Sequence, residues 1–390
     1  GNMQTSGDLS AKDTINTGTI IAESNITTEN LDNSGEVLTN EKLSTKNIDN
    51  RTSGKINTGK GISSSGNVVN QGTLNTNGDL TVSGNFENNN IVNAGGALTA
   101  KDVVNTGVLK VSDRIVSRGV TFTNSGEILT ENLDVDVSGN VINSNKLIVL
   151  DNAKIKGNSI INQNYISATN MELITLSLAN SGTLAADEIL KANNAFINNA
   201  GGYIGSNQKV ELNNTNLTNS GTIESAAVSM GNLSGYGNTG LIRGNSVVLT
   251  SGGNLTLNGT LHGEDYLQIN GLDIQNSGVT TGTGYIEIKG RDITNNTVLA
   301  SEIIVLEGTG TVINNSMITG ENGRITGYNI INNDLIAFSD QLGLKATDKI
   351  TNNAGKAMYG GELLDIEFNT LENLSGELLS TGLINLKGNY

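Results

Sequence analysis

The chain has 390 residues with 49 Gly, 60 Asn, one His, no Pro, Cys or Trp, and a formal net charge of −15. A cysteine-free, acidic composition excludes a disulfide framework and a thiolate metal centre, and it disfavours binding to nucleic acid or an anionic membrane surface. No apolar run reaches the roughly 20 residues of a membrane-spanning helix, and Gly1-Asn2-Met3-Gln4 does not open a signal peptide, so no membrane insertion is expected and any export signal lies outside this sequence.

The predicted elements recur from end to end. An apolar residue, a spacer and an Asn repeat at Asn16, Asn33, Asn50, Asn70, Asn88, Asn105, Asn124, Asn143, Asn162, Asn180, Asn198, Asn219, Asn238, Asn258, Asn276, Asn295, Asn314, Asn332, Asn352 and Asn373, with spacings of 17 to 21 residues. Two residues before the Asn stand Leu31, Ile48, Val68, Phe86, Val103, Phe122 and so on to Leu371; only Thr14 and Thr256 break the rule. Two residues after it, nine positions are Gly, among them Gly18, Gly35, Gly72, Gly107 and Gly126, and others are Asn or Asp. These residue types tolerate positive φ, so an Asn-x-Gly corner between strands is predicted. Further along each repeat, pairs such as Val210 and Leu212, or Ile286 and Ile288, alternate with period two, as strands do. Small extensions are expected at Arg51-Thr52, Gly201-Gly202 and Gly360-Gly361.

A repeat this short cannot bury its own apolar face, but stacked repeats can. The reading is an all-β, right-handed parallel β-helix: about 20 coils of about 19 residues, three short strands per coil, one continuous domain over residues 1–390 and a rod-like form. Roughly 20 Pro would be expected at average usage. Their absence fits strands flanked on both sides, because Pro donates nothing to a ladder. The Asn column, from Asn16 to Asn373, is expected to be a structural ladder of stacked amides rather than a ligand site.

Leu31 to Val37, Leu178 to Leu184 and Leu217 to Ile223 carry the text Leu-x-Asn-Ser-Gly-x-apolar. This text resembles the haemagglutinin repeats of two-partner-secreted exoproteins, the family of filamentous haemagglutinin adhesins and contact-dependent growth inhibition effectors. The resemblance covers essentially the whole chain. It implies a secreted, cell-surface location, an outer-membrane transporter as partner during export, and a role as shaft. The family's secretion domain carries Asn-Pro motifs and this chain has no Pro, so that domain is expected elsewhere, as is any toxin domain. Two other readings stand beside the shaft. One is an adhesin face that binds a cell-surface receptor or glycan; the other, remote, is a carbohydrate-active β-helix enzyme.

Catalytic constellations are scarce. Asp187 with Glu188, and Glu264 with Asp265, are paired acids, most simply solvated surface; His262 is the only histidine and permits no multi-His metal site. Gly282-Thr283-Gly284 and Gly308-Thr309-Gly310 precede no helix and are not nucleotide loops. No enzyme activity and no cofactor are expected. Lys101, Lys110, Arg114 and Arg118 form the densest basic patch, a solvated face or a weak binding patch. Asn25, Asn213, Asn216, Asn232 and Asn254 open Asn-x-Ser/Thr sequons, which chance also produces in such text. Repeat text near both ends predicts open parallel edges and end-to-end self-association of the fragment.

Overall fold

Alternating apolar and polar residues, interrupted by three corners, make three short strands of each repeat. In the coil that follows Asn70 they are Thr73–Thr76, Asp79–Val82 and Phe86–Asn88. The computed structural model describes residues 1–213 and 216–388, and among these there is no helix. Strands of successive coils pair in parallel. Thr73–Thr76 lies between Lys55–Thr58 and Ile91–Ala94, with Ile56, Leu74 and Val92 in register. Asp79–Val82 lies between Gly61–Ser64 and Leu98–Ala100, and Phe86–Asn88 between Val68–Asn70 and Val103–Asn105. The protein is a parallel β-helix with a repeat of about 19 residues. It divides into two compact units, residues 1–192 and 193–390.

In the first unit, every inward position stacks on its counterpart in the next coil. Leu31, Ile48, Val68, Phe86, Val103, Phe122, Val141, Ile160 and Leu178 form one column, each 2% exposed or less. Leu74, Val92, Leu109, Ile128 and Leu147 belong to a second column, and Leu43, Ile62, Leu80, Leu98 and Ile115 to a third. Fully burying one such side chain contributes about 1.5–3 kcal/mol, so three per coil give each added coil its own driving force.

The corners depart from expectation. None of the nine Asn-x-Gly glycines has a positive φ; among the described residues the left-handed glycines are Gly61, Gly201 and Gly355. The corner glycines are needed for closeness instead. A Cβ at Gly35 would overlap the Gly18 carbonyl of the preceding coil, and one at Gly126 would overlap that of Gly107. Where Asn90 and Asn145 hold the same place, their amides bond the Gln71 and Ser125 carbonyls. At Arg51-Thr52 the chain carries two extra residues inside the corner. Gly54 then takes the glycine's place, 3.3 Å from the Asn50 amide, and Ile56 returns to register with Val37.

In the second unit, Phe196, Leu217, Ile274, Ile293, Val312, Ile330 and Ile350 hold the inward position two residues before the Asn place and are buried. The corner after Asn198 is widened at Gly201-Gly202, where Gly201 has φ 81°. The extension expected at Gly360-Gly361 is not there: Phe338 pairs with Gly360 and Gln341 with Leu363, so no residue is added. The added residues are in the preceding corner, around Ala354-Gly355, where Gly355 has φ 68° and Met358 realigns with Ile336.

One core position exchanges volume between neighbours. Gly323 pairs with Ile304 and Leu342 in an otherwise aliphatic column. The ring of Phe338, fully buried, fills the space that a Cβ at Gly323 would enter. Phe338→Ala should therefore cost about 3–5 kcal/mol, the usual range for a large core deletion. Tyr328→Ala, at a half-exposed site, should cost under about 1 kcal/mol. Paired denaturant titrations check this.

Candidate functional site

The Asn corner is the most regular polar feature of the molecule. A buried amide must find partners, because leaving it unsatisfied costs about 1–3 kcal/mol. In the first unit the Nδ2 of each Asn donates to the Oδ1 of the next: Asn16 to Asn33, then Asn50, Asn70, Asn88, Asn105, Asn124, Asn143, Asn162 and Asn180, at 2.7–2.9 Å. The same Nδ2 also reaches two carbonyls. Asn105, for example, bonds Gly107 O and Glu127 O, both at 3.1 Å. The amide dipoles all point one way, so each bond polarises the next. These side chains are buried and spent on one another, which leaves nothing to bind a ligand.

In the second unit the column runs from Asn198 to Asn219 and Asn238, and again from Asn276 through Asn295, Asn314, Asn332 and Asn352 to Asn373, at 2.8–3.0 Å. Asn373 is itself exposed. Between Asn238 and Asn276 the column is broken. Asn258, read as an anchor, is exposed; Leu257 takes its place, in register with Asn276 and 1% exposed. The cause is a one-residue slip, which turns every side chain of a strand over. Placing Asn258 inward would put Leu255 and Leu257 outward. Two buried Leu side chains are together worth about 3–6 kcal/mol, against about 1–3 kcal/mol for one satisfied amide, so the leucines win. This also removes the Thr256 exception, since Leu255 fills the apolar place.

The neighbours record the break. Asn238 Oδ1 still accepts from Asn219, but its Nδ2 retains only a 3.4 Å bond to Thr260 O. The Tyr236 hydroxyl is buried near it without a hydrogen bond of good geometry, and burial pushes its pKa up. Asn276 Oδ1, with no amide to accept from, takes the Thr280 hydroxyl at 2.8 Å. Thr280 occupies a column that is otherwise Ile, Val or Leu in most coils, and it is fully buried.

The basic patch is dispersed. Arg118 pairs with Asp134, and its backbone N–H bonds Lys101 O at 3.1 Å, so Lys101 and Arg118 share a corner. Arg114 lies 3.7 Å from Asp113 and pairs in register with Asn132, while Lys110 pairs with Asn93 and Leu129 on a different strand segment. The four cations do not converge, and both arginines already face carboxylates. Asp187 and Glu188 are exposed neighbours on one coil. Among the described residues no group of three His, Cys, Asp or Glu is arranged to hold a metal. The sequon at Asn213 runs into residues 214 and 215, which lie outside the described residues.

Two polar devices were legible in the residue spacing but not singled out. Outer amide columns run from Asn57 to Asn75 and Asn93, and from Asn296 to Asn315 and Asn333. On another face Glu287, 8% exposed, accepts from Gln268 Nε2 and Lys289 Nζ, both at 2.7 Å, beside the stacked rings of Tyr266 and Tyr285. Burial would raise the Glu287 carboxyl, but the hydrogen bonds from Lys289 and Gln268 together outweigh it and hold the carboxyl below its ordinary value.

No family profile, curated protein or solved structure matches the chain.

The break predicts an unusual substitution. Thr280→Val adopts the chemistry of its own column, yet should destabilise by about 1–2 kcal/mol, because it strips the last acceptor bond from a buried amide. Asn105→Ala, inside the unbroken ladder, should cost about 1–3 kcal/mol, and Lys101→Ala under about 0.5 kcal/mol. Chemical denaturation of the three variants, with unchanged m-values, measures all of these.

Proposed function

We propose that this chain is a structural segment of the shaft of a large secreted bacterial surface protein, of the filamentous-haemagglutinin or contact-dependent inhibition type. It sets the distance between the cell and functional parts carried elsewhere on the same protein. The observation that supports this most is how the inward residues are used: in both units apolar columns and amides serve the adjacent coils. Chemistry of that kind adds length at constant stability per coil. The Leu-x-Asn-Ser-Gly text supports the family reading, and with it export through an outer-membrane transporter to the cell surface.

A shaft depends on coil count and register more than on surface identity. Removing residues 125–143 takes out one whole coil and joins Asn124 to Ser144, so that Phe122 meets Ile160 and Asn124 meets Asn162. The parent protein with this deletion should display normally and keep its attachment or killing activity. Removing residues 125–134 takes out half a coil, throws the inward faces out of register and should abolish display. Lost activity with normal display of the whole-coil variant would overturn the shaft reading for this segment and favour an adhesive face.

A further inference from the structure

The second unit carries a polar groove that stacking does not require. Its origin lies in a column of small residues at one inward corner. In the first unit that corner holds Thr, Val or Ala, as at Thr39, Thr58, Thr76, Ala94, Val111 and Thr130. In the second unit it holds Ser206, Ser225, Gly244, Gly263 and Gly282. A Cβ at Gly244 would overlap the Ser225 carbonyl, and one at Gly263 would press on the Tyr266 backbone. No side chain therefore fills this corner at Gly244, Gly263 and Gly282.

The result is a cleft of about 470 Å³, lined by Tyr203, Glu224, Ser225, Arg243, His262 and Glu264 among others. That volume falls in the range of small-molecule sites, about 300–1,000 Å³. One strand position read up successive coils supplies Glu224, Arg243 and His262 to the lining, and Thr281 follows them in register beyond it. Arg243 and Glu224 form a 2.7 Å ion pair, and His262 Nδ1 lies 3.0 Å from Thr281 Oγ1. The Tyr203 ring packs over Gly205 at the end of this row. On the floor, the Ser225 hydroxyl is 4% exposed by residue and has no hydrogen-bond partner. Asn207 and Asn245 stand at the rim.

The chemistry selects a ligand class. The cleft offers both acceptors, on Glu224 and Glu264, and donors, on Arg243 and the Asn207 and Asn245 amides, and its one arginine is already matched by a carboxylate. With Glu264 added the cleft is net acidic, on a chain of net charge −15, so polyanions are repelled. Groups repeat at the coil spacing of about 4.8 Å, close to the length of one sugar unit in an extended chain. We infer that this groove binds a neutral oligosaccharide laid along successive coils, with Arg243, Glu224 and the rim amides bonding its hydroxyls. The inference is independent of whether the stack also serves as a shaft.

The test uses the whole chain on an array of neutral hexose and N-acetylhexosamine chains, with sulfated and sialylated chains beside them. The best neutral chain is then titrated by calorimetry against the wild type, Arg243→Ala and Ala226→Trp. Ala226 is an exposed lining residue, so the tryptophan fills the cleft without entering the core; thermal melts of both variants should match the wild type. Binding to a neutral chain, weakened at least tenfold by each variant, is the expected result. No neutral chain bound, or binding that neither variant weakens, overturns the site. Preference for sulfated chains that fades with added salt overturns the ligand class.

Discussion

A buried asparagine amide is costly alone and nearly free in a column. That asymmetry governs this protein more than any other single interaction. Each amide brings two donors and an acceptor to the corner of a coil, where water is excluded; a carbonyl of its own corner and the coils on either side satisfy them. The apolar columns supply most of the burial energy, but apolar contact is non-directional and would tolerate sliding. The amides do not: an Nδ2 at 2.8 Å from one Oδ1 fixes the vertical register of the strands to which it belongs. Corner glycines such as Gly35 and Gly126 meet the close coil spacing, at which a Cβ would strike a carbonyl of the preceding coil, and Gly78 does the same at a corner without the ladder.

The break at Leu257 shows how this order is ranked. Where the sequence offers Leu255 and Leu257 against one Asn258, burial of two leucines prevails and the amide is expelled to the surface. The coils on both sides adjust with specific chemistry: Thr280 supplies a hydroxyl above, and below the Asn238 Nδ2 is left donating one long bond. The ladder therefore specifies register without being indispensable at every coil. A stack built this way can absorb a local slip, or two extra corner residues as at Arg51-Thr52, without losing the parallel pairing on either side.

Most of the fold was legible because its signal repeats. The Asn positions, the apolar residues two before them and the period-two pairs gave strands, coil length and parallel stacking. What the sequence hid were events whose cause lies in a neighbouring coil. The glycine corners read as positive-φ turns because Gly and Asn share that tolerance; closeness to the preceding carbonyl has no signature within one repeat. Asn258 matched the column by spacing, and only the competing alternation of Leu255 and Leu257 could have exposed the slip. Gly360-Gly361 looked like an insertion, whereas Gly355 marks the actual one. The groove along Glu224, Arg243 and His262 was invisible for the same reason: its residues are about 19 positions apart and meet only when stacked, and its depth comes from side chains that Gly244 and Gly263 do not have.

Ladder amides that hold the coils in register must be bonded to each other in solution and not to water, and side-chain hydrogen exchange measures that directly. With the protein labelled at its Asn amide nitrogens, the Nδ2 protons of Asn105, Asn124 and Asn143 should exchange orders of magnitude more slowly than those of Asn258, approaching the protection of the backbone amides of their own coils. Asn238, beside the break, should lie between them. Equal, fast exchange at Asn124 and Asn258 in the folded protein would contradict the ladder as the element that holds the coils in register.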